Sequence, residues 1–247
     1  MSNLFSLEGK TILVTGASSG IGKAIAIECS KMGARIIISG RNEERLNGTL
    51  SLLHGKEHQK IIADLQEKES INTIVNNLAA IDGIVHCAGI AKLLPFKFIN
   101  NSVLEEVLRV NFIAPTLLSQ QLVKSKKLQK NSSIVFISSI SGVISSSVGG
   151  SIYSASKGAV NGLVKGMALD LAPQGIRVNC VLPGMISTNI FNNSITQEQL
   201  DLDKKRYPLG RYGQPEEVAY AVIYLLSDAS VWMTGSNIVI DGGYTLN

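Results

Sequence analysis

Tyr153 and Lys157, in the run Tyr-Ser-Ala-Ser-Lys, carry a phenol and an ammonium one helical turn apart. Residues i and i+4 on a helix share a face, with Cβ atoms about 5–6 Å apart, so the two groups can act together. A cation beside a phenol favours the ionised form, and a phenol that can lose and regain its proton is a general acid/base. Alone, such a pair is an ordinary decoration of an exposed helix face. Its meaning depends on what the chain brings alongside. Nearby in sequence stand a serine-rich stretch (Ser138, Ser139, Ser141, Ser145, Ser146, Ser147, Ser151) and, further back, Asn111, a poor helix former inside a helical pattern.

The elements that must position these groups alternate regularly. Thr11 to Thr15 is a short apolar, β-branched run that leads into Gly16-Ala17-Ser18-Ser19-Gly20-Ile21-Gly22 and then a helical pattern through Met32. Strand, glycine turn and helix in that order let backbone N–H groups meet a diphosphate at the positive end of the helix. The spacing Gly-x-x-x-Gly-x-Gly differs from the commonest dinucleotide fingerprint, so the position after the first strand carries as much of this reading as the glycines do. Ala34 to Ser39 reads as a second strand and is followed by Gly40 and Arg41. An NAD site usually places a carboxylate there for the ribose 2′-hydroxyl, whereas a 2′-phosphate takes an arginine, so the expected cofactor is NADP(H).

Five further strands are expected at Gln59–Ala63, Ile81–Cys87, Ser132–Ser139, Ile176–Leu182 and Ser236–Ile240. They alternate with helical segments, the longest running from Asn101 to Lys127 as one helix. The alternation predicts an α/β fold, one domain over residues 1–247 with a doubly wound, seven-stranded parallel sheet flanked by helices. By composition the serine stretch is a flexible loop. Met185 to Tyr212 is the longest stretch with neither pattern and is expected to cover the substrate, with Ile190 and Phe191 hinting at an apolar wall. Pro215 then opens a helix that runs to about Ser227.

Composition narrows the function classes. A chain of 247 residues, 45% hydrophobic, can build one large core. The 23 basic and 19 acidic residues are interspersed rather than gathered on one face, and no nucleic-acid partner is expected. Lys124, Lys126, Lys127 and Lys130 do gather near a helix end, where the helix dipole suits them without a partner. Cys29, Cys87 and Cys180 are odd in number and far apart, which suggests neither a disulfide framework nor a metal site and fits a reducing cytoplasm. Met1 to Lys10 has no apolar core of signal-peptide length, and no apolar run approaches about 18 residues, so no membrane association is expected.

Together these stretches resemble the short-chain dehydrogenase/reductase family along nearly the whole chain. The resemblance rests on Thr15-Gly16-Ala17-Ser18-Ser19-Gly20-Ile21-Gly22, Asp64, Ala88-Gly89, Asn111, Ser139, Tyr153 with Lys157, Pro183-Gly184 with Thr188, and Asp241-Gly242-Gly243. Within the family the chain is most similar to 3-oxoacyl-(acyl-carrier-protein) reductases and their sugar- or polyol-acting relatives. The resemblance implies a Rossmann-like fold and hydride transfer between NADP(H) and a small-molecule carbonyl or secondary alcohol. Tyr153 would be the acid/base, Ser139 would hold the oxygen, and Lys157 would bind the nicotinamide ribose and favour the phenolate. Asn111 would open the long helix to place a water linking Lys157 to solvent. Cofactor contacts are implied at Gly16, Ser18, Ser19, Gly20, Ile21, Gly22, Arg41, Asp64, Leu65, Ala88, Gly89, Tyr153, Lys157, Pro183, Gly184, Ile186 and Thr188, with no metal.

Ser139 is preferred among the serines because it ends the expected fifth strand and its distance before Tyr153 is close to the family's spacing; Ser138, expected on the other face, and Ser141 are the alternatives. The scarcity of charge between Asn131 and Ser187, with Gly158, Gly162 and Gly166 on the helix after Tyr153, suits a covered face. The resemblance implies a homotetramer, since the family's members commonly pair the long central helices across one axis and the last helix and strand across another. Those glycines pack either on their own sheet or on a neighbouring copy. Two departures stand out: His86-Cys87-Ala88-Gly89 replaces the family's Asn-Asn-Ala-Gly, with His86 expected to support the sheet, and Gln174 replaces a basic residue used to meet an acyl carrier protein. The reading from another class is a dinucleotide-binding protein without turnover. Such proteins commonly lose the tyrosine or lysine, and this chain keeps both.

Overall fold

The apolar runs pair in parallel because each is followed by a helix that carries the chain back across the sheet. In the computed structural model, which describes residues 3–188 and 197–246, the strands are β1 (Thr11–Thr15), β2 (Arg35–Gly40), β3 (Gln59–Ile62), β4 (Ile81–His86), β5 (Leu128–Ile137), β6 (Arg177–Pro183) and β7 (Asn237–Ile240). They form one seven-stranded sheet in the order β3-β2-β1-β4-β5-β6-β7. Alternation along each strand divides the side chains between two apolar layers. Ile12, Val14, Ile36, Ile38, Val85 and Val181 pack with α1 (Gly20–Lys31) and α8 (Pro215–Leu226). Leu13, Ile37, Ile84, Ile134 and Phe136 pack with α3 (Glu69–Asn76), α5 (Ala114–Lys124) and α6 (Ser151–Leu171). Each fully buried aliphatic side chain contributes about 1.5–3 kcal/mol.

The strand order reverses at β1, which pairs with β2 on one side and β4 on the other. In an open α/β sheet such a reversal leaves a crevice outside the carboxyl ends of the strands. Thr15, His86, Ile137 and Pro183 are the last residues of the four central strands, so whatever follows each of them lies around that crevice.

The helix expected from Asn101 to Lys127 is three pieces: α4 (Asn101–Leu108), a π-helical turn over Arg109–Ile113, and α5. Pro115, four residues after Asn111, has no N–H to give the Asn111 carbonyl, and a ladder that loses one i→i+4 bond widens there. β5 begins at Leu128 rather than Ser132, across a register shift against β4 that coincides with Asn131 at φ 64°. The stretch expected to lack regular structure contains α7 (Gln197–Lys204), a polar helix without a clear apolar period. The base of that stretch is closed by backbone: Gly213 N–H donates to the Met185 carbonyl at 3.0 Å and Ser187 N–H to the Gly213 carbonyl at 2.8 Å. The expected positions of Ile190 and Phe191 lie outside the described residues. Other strand ends differ from expectation by one or two residues, as terminal residues commonly do.

Candidate active site

The turn between β1 and α1 is built for close approach. Gly16 has φ 69°, and a Cβ there would stand 2.7 Å from the Ala88 Cα; one on Gly22 would stand 2.4 Å from the Gly16 carbonyl oxygen. Backbone therefore meets backbone, bringing the ends of β1 and β4 together. Thr15 Oγ1 adds to this by accepting the N–H groups of Cys87 at 3.2 Å and Ala88 at 3.3 Å. Ser19, at the N-cap of α1, makes no side-chain cap bond, so the first N–H groups of the helix remain available to an anion. Thr49 of α2 (Glu43–Leu50) anchors the turn from behind through a 2.9 Å bond to the Ala17 carbonyl.

These elements surround a cavity of about 950 Å³, at the upper end of the range for a small-molecule site. Its wall includes Ser139 and every cofactor contact named from the sequence: Gly16, Ser18 to Gly22, Arg41, Asp64, Leu65, Ala88, Gly89, Tyr153, Lys157, Pro183, Gly184, Ile186 and Thr188. A dinucleotide fits these residues, with glycines where a Cβ would intrude and uncapped helix N–H groups where a diphosphate would lie. Beyond the end of β2, Arg41 lies 3.9 Å from Asp64, both partly exposed. Arg45, in the first turn of α2, also lines the cavity. No expectation attaches to Arg45 from the sequence, although a second arginine so close to Arg41 is a signal. Ile90, Ala91, Val110 and Met185 also line it and carried no signal in the sequence, because nothing local shows which apolar side chains face inward.

At the other end, Lys157 is buried, its ammonium donates to the Ile137 carbonyl at 2.8 Å, and it lies 5.8 Å from the centre of the Tyr153 ring. Asn111 is not on the cavity wall. It sits one layer behind, where Oδ1 accepts the Ile90 N–H at 2.8 Å and Nδ2 donates to the Ile90 carbonyl at 2.9 Å and to Ser156 Oγ at 3.0 Å. Gly89 lies between: a Cβ there would be 3.4 Å from Asn111 Oδ1 and 3.5 Å from Lys157 Nζ. Ser139 Oγ accepts the Ser141 N–H at 3.1 Å, while Ser138 Oγ bonds the Lys157 carbonyl at 3.0 Å. Both lie just beyond β5, and Ser138 lines the cavity as Ser139 does.

The serine stretch is not a flexible loop. Ser145 N–H donates to Ile140 at 3.1 Å and Gly142 N–H to Ser145 at 2.8 Å, and Ser146 Oγ lies 2.8 Å from Ser154 Oγ on α6. Gly142, at φ 89°, lies so near α6 that a Cβ would fall 1.9 Å from the Ser154 carbonyl oxygen. Composition hid this because short-range serine bonds depend on the partner that the helix supplies.

His86 is buried, stacks on Phe136 with ring centroids 4.6 Å apart, and pairs Nε2 with Ser119 Oγ at 2.7 Å. Burial lowers its pKa to about 3, so it is a neutral part of the sheet, as expected. Burial pushes the thiol of Cys180 up to about 12, and that of Cys87, half-buried on the cavity wall, is raised likewise. Gln174 is exposed in a short 3₁₀ turn after α6.

Comparison with known proteins agrees with the geometry. The family model described as Enoyl-(Acyl carrier protein) reductase matches residues 16–245. A 3-oxoacyl-[acyl-carrier-protein] reductase of Rickettsia prowazekii (strain Madrid E) is 35% identical over 241 residues, covering 97% of this chain and 98% of that one. A D-threitol dehydrogenase of Mycolicibacterium smegmatis is 33% identical over 248 residues, covering 98% and 95%. The solved structure of a putative 2-deoxy-D-gluconate 3-dehydrogenase from Agrobacterium tumefaciens with bound NADP superposes with a TM-score of 0.89 at 28% identity, covering all of both chains. Sheet order, cavity and sequence relationship lead to one conclusion: this chain belongs to the short-chain dehydrogenase/reductase family and is an oxidoreductase acting on carbonyl or CH–OH groups.

Proposed function

We propose that the protein reduces a ketone with NADPH, with Tyr153 as proton donor, and that its preferred substrates are small 3-oxoacyl thioesters. The observation that supports this reading is that Ser139, Tyr153 and Lys157 line the same cavity as a glycine turn and helix terminus suited to a diphosphate. The bound nicotinamide supplies the hydride. Ser139 holds the carbonyl oxygen and Tyr153 gives it a proton as charge develops. Lys157, fixed by the Ile137 carbonyl, binds the nicotinamide ribose and stabilises the phenolate that remains. Asn111 Oδ1 and Lys157 Nζ flank Gly89, and a water there would return the proton from solvent.

Arg41 and Arg45, beside a strand end whose last residue is Gly40, support NADPH over NADH. Ile90, Val110 and Met185 supply apolar wall and support an acyl substrate. The D-threitol dehydrogenase relative keeps a polyol in view as the second reading. Gln174 lacks the charge that would attract an acidic carrier protein, so a free thioester suffices. NADPH oxidation followed across acetoacetyl thioesters, diketones and keto sugars tests this. Highest kcat/KM is expected with acetoacetyl thioesters; turnover of keto sugars alone would favour the second reading.

The homotetramer belongs to the same proposal. Gly158 packs on its own subunit, 2.8 Å from Gly142 O if given a Cβ, but Gly162 and Gly166 would meet nothing within 4 Å and Leu169 is 79% exposed. An outer helix face with so few charges, Lys165 and Asp170 being the exposed ones, suits a second copy.

A further inference from the structure

Lys157 is held at both ends. Its ammonium donates to Ile137, and its own carbonyl accepts the Ser138 hydroxyl at 3.0 Å and the Asn161 side-chain amide at 2.8 Å. The same amide donates to Ser138 Oγ at 2.9 Å and closes a triangle of buried polar groups. Ser138 adjoins Ser139 at the end of β5, and Asn161 stands one turn beyond Lys157 and two beyond Tyr153 on α6. The triangle therefore lies where the chain leaving β5 towards Ser139 meets the helix carrying the other two groups.

An apolar side chain would fill that space more stably. Asn161 Oδ1 is buried and has no hydrogen-bond partner among the described residues, and an amide oxygen left so destabilises a fold. A leucine would remove the orphan and leave Ser138 bonded to the Lys157 carbonyl. A buried polar group kept at a cost in stability is a candidate for fixing geometry. What this one can fix is the height of β5 over α6, and with it the distance between the Ser139 and Tyr153 hydroxyls.

We propose that Ser138 and Asn161 are positioning residues, whose triangle with the Lys157 carbonyl sets Ser139 against Tyr153 and Lys157. The inference rests on the functional reading above. It is tested with Asn161→Leu and Ser138→Ala, singly and together, by kinetics, melting and crystal structures. Because a displacement of about 1 Å can cost up to 10²-fold, kcat is expected to fall about ten- to hundredfold in each variant, with KM for NADPH within about twofold. Asn161→Leu should melt no lower than the wild type, which a merely structural role would not allow alongside lost turnover. The double variant should be no slower than the slower single, since the two act as a unit. The crystals should show an altered Ser139 Oγ to Tyr153 Oη separation. Wild-type kcat in Asn161→Leu, or an unaltered separation in both single variants, overturns the inference; should Asn161→Leu not fold, Ser138→Ala, which deletes one atom, decides. If Tyr153→Phe is inactive while both variants keep full turnover, the functional reading stands and this inference falls. If the wild type reduces no carbonyl, the functional reading falls and the crystallographic separation decides here.

Discussion

In the proposed mechanism the Tyr153 hydroxyl is the one atom whose removal should separate chemistry from binding. General acid catalysis is worth about 10²–10⁴-fold, so Tyr153→Phe should lower kcat at least about 10²-fold and leave NADPH affinity nearly unchanged; near wild-type turnover would remove Tyr153 from the mechanism. At the far end of the cavity, a charge-assisted contact to a 2′-phosphate is worth about 1.5–3 kcal/mol, which corresponds to a ten- to hundredfold preference for NADPH in kcat/KM. Arg41→Ala with Arg45→Ala should abolish it, and a wild-type preference for NADH would show that neither arginine reaches the cofactor. His86 makes a pH prediction. Its folded pKa of about 3 lies below the unfolded value of 6.5, so below pH 6.5 the unfolded chain takes up a proton that the folded chain refuses. Stability from this group is therefore full above pH 6.5 and declines by about 1.4 kcal/mol per pH unit as the pH falls towards 3. Denaturant titrations at pH 7 and pH 5 should show His86→Asn losing less stability than the wild type over that interval; equal losses would mean that the ring does not resist protonation.

At the scale of elements, the site depends on how one loop seats on one helix. Gly142 lies in the left-handed region and against the Ser154 carbonyl, so Gly142→Ala adds backbone strain to a steric clash. Each costs about 1–3 kcal/mol, and together they should lower the melting temperature by about 5–15 °C. A melting temperature within about 2 °C of the wild type would show that the loop can lift without penalty. The π-helical turn was half legible: Asn111 inside a helical pattern and Pro115 four residues on are both in the sequence, but neither says what the widened turn would face. That is decided by Ile90 and Ser156, which reach Asn111 from other elements.

For the whole molecule, the outer face of α6 distinguishes an isolated subunit from an assembly. In a lone subunit Gly162→Ala meets no obstruction and should gain about 1 kcal/mol from helix propensity. Across a close helix contact the added methyl groups would instead collide with their symmetry mates and weaken association. Light scattering at micromolar concentration should give a tetrameric mass for the wild type and a smaller mean mass for the variant. A monomeric wild type with activity intact would overturn the assembly.

What the sequence determined by itself was whatever depends on local spacing. The alternation of apolar runs with helical patterns is a local property, and it specified seven parallel strands and their order along the chain. The glycine turn and the Tyr153/Lys157 pair are legible as residue types at fixed spacing on one element, whereas Asn111 and Ser139 take their roles from the resemblance to the family. Tertiary structure alone decided how those elements meet. It showed that Arg45 faces the same cavity as Arg41, that serines read as a flexible loop are bonded to α6, that α7 forms within a stretch lacking an apolar period, and that Asn161 and Ser138 close on the Lys157 carbonyl. Each of these joins residues far apart in the chain, or an element whose stability comes from its neighbours, and such contacts leave no period or motif in the sequence to read.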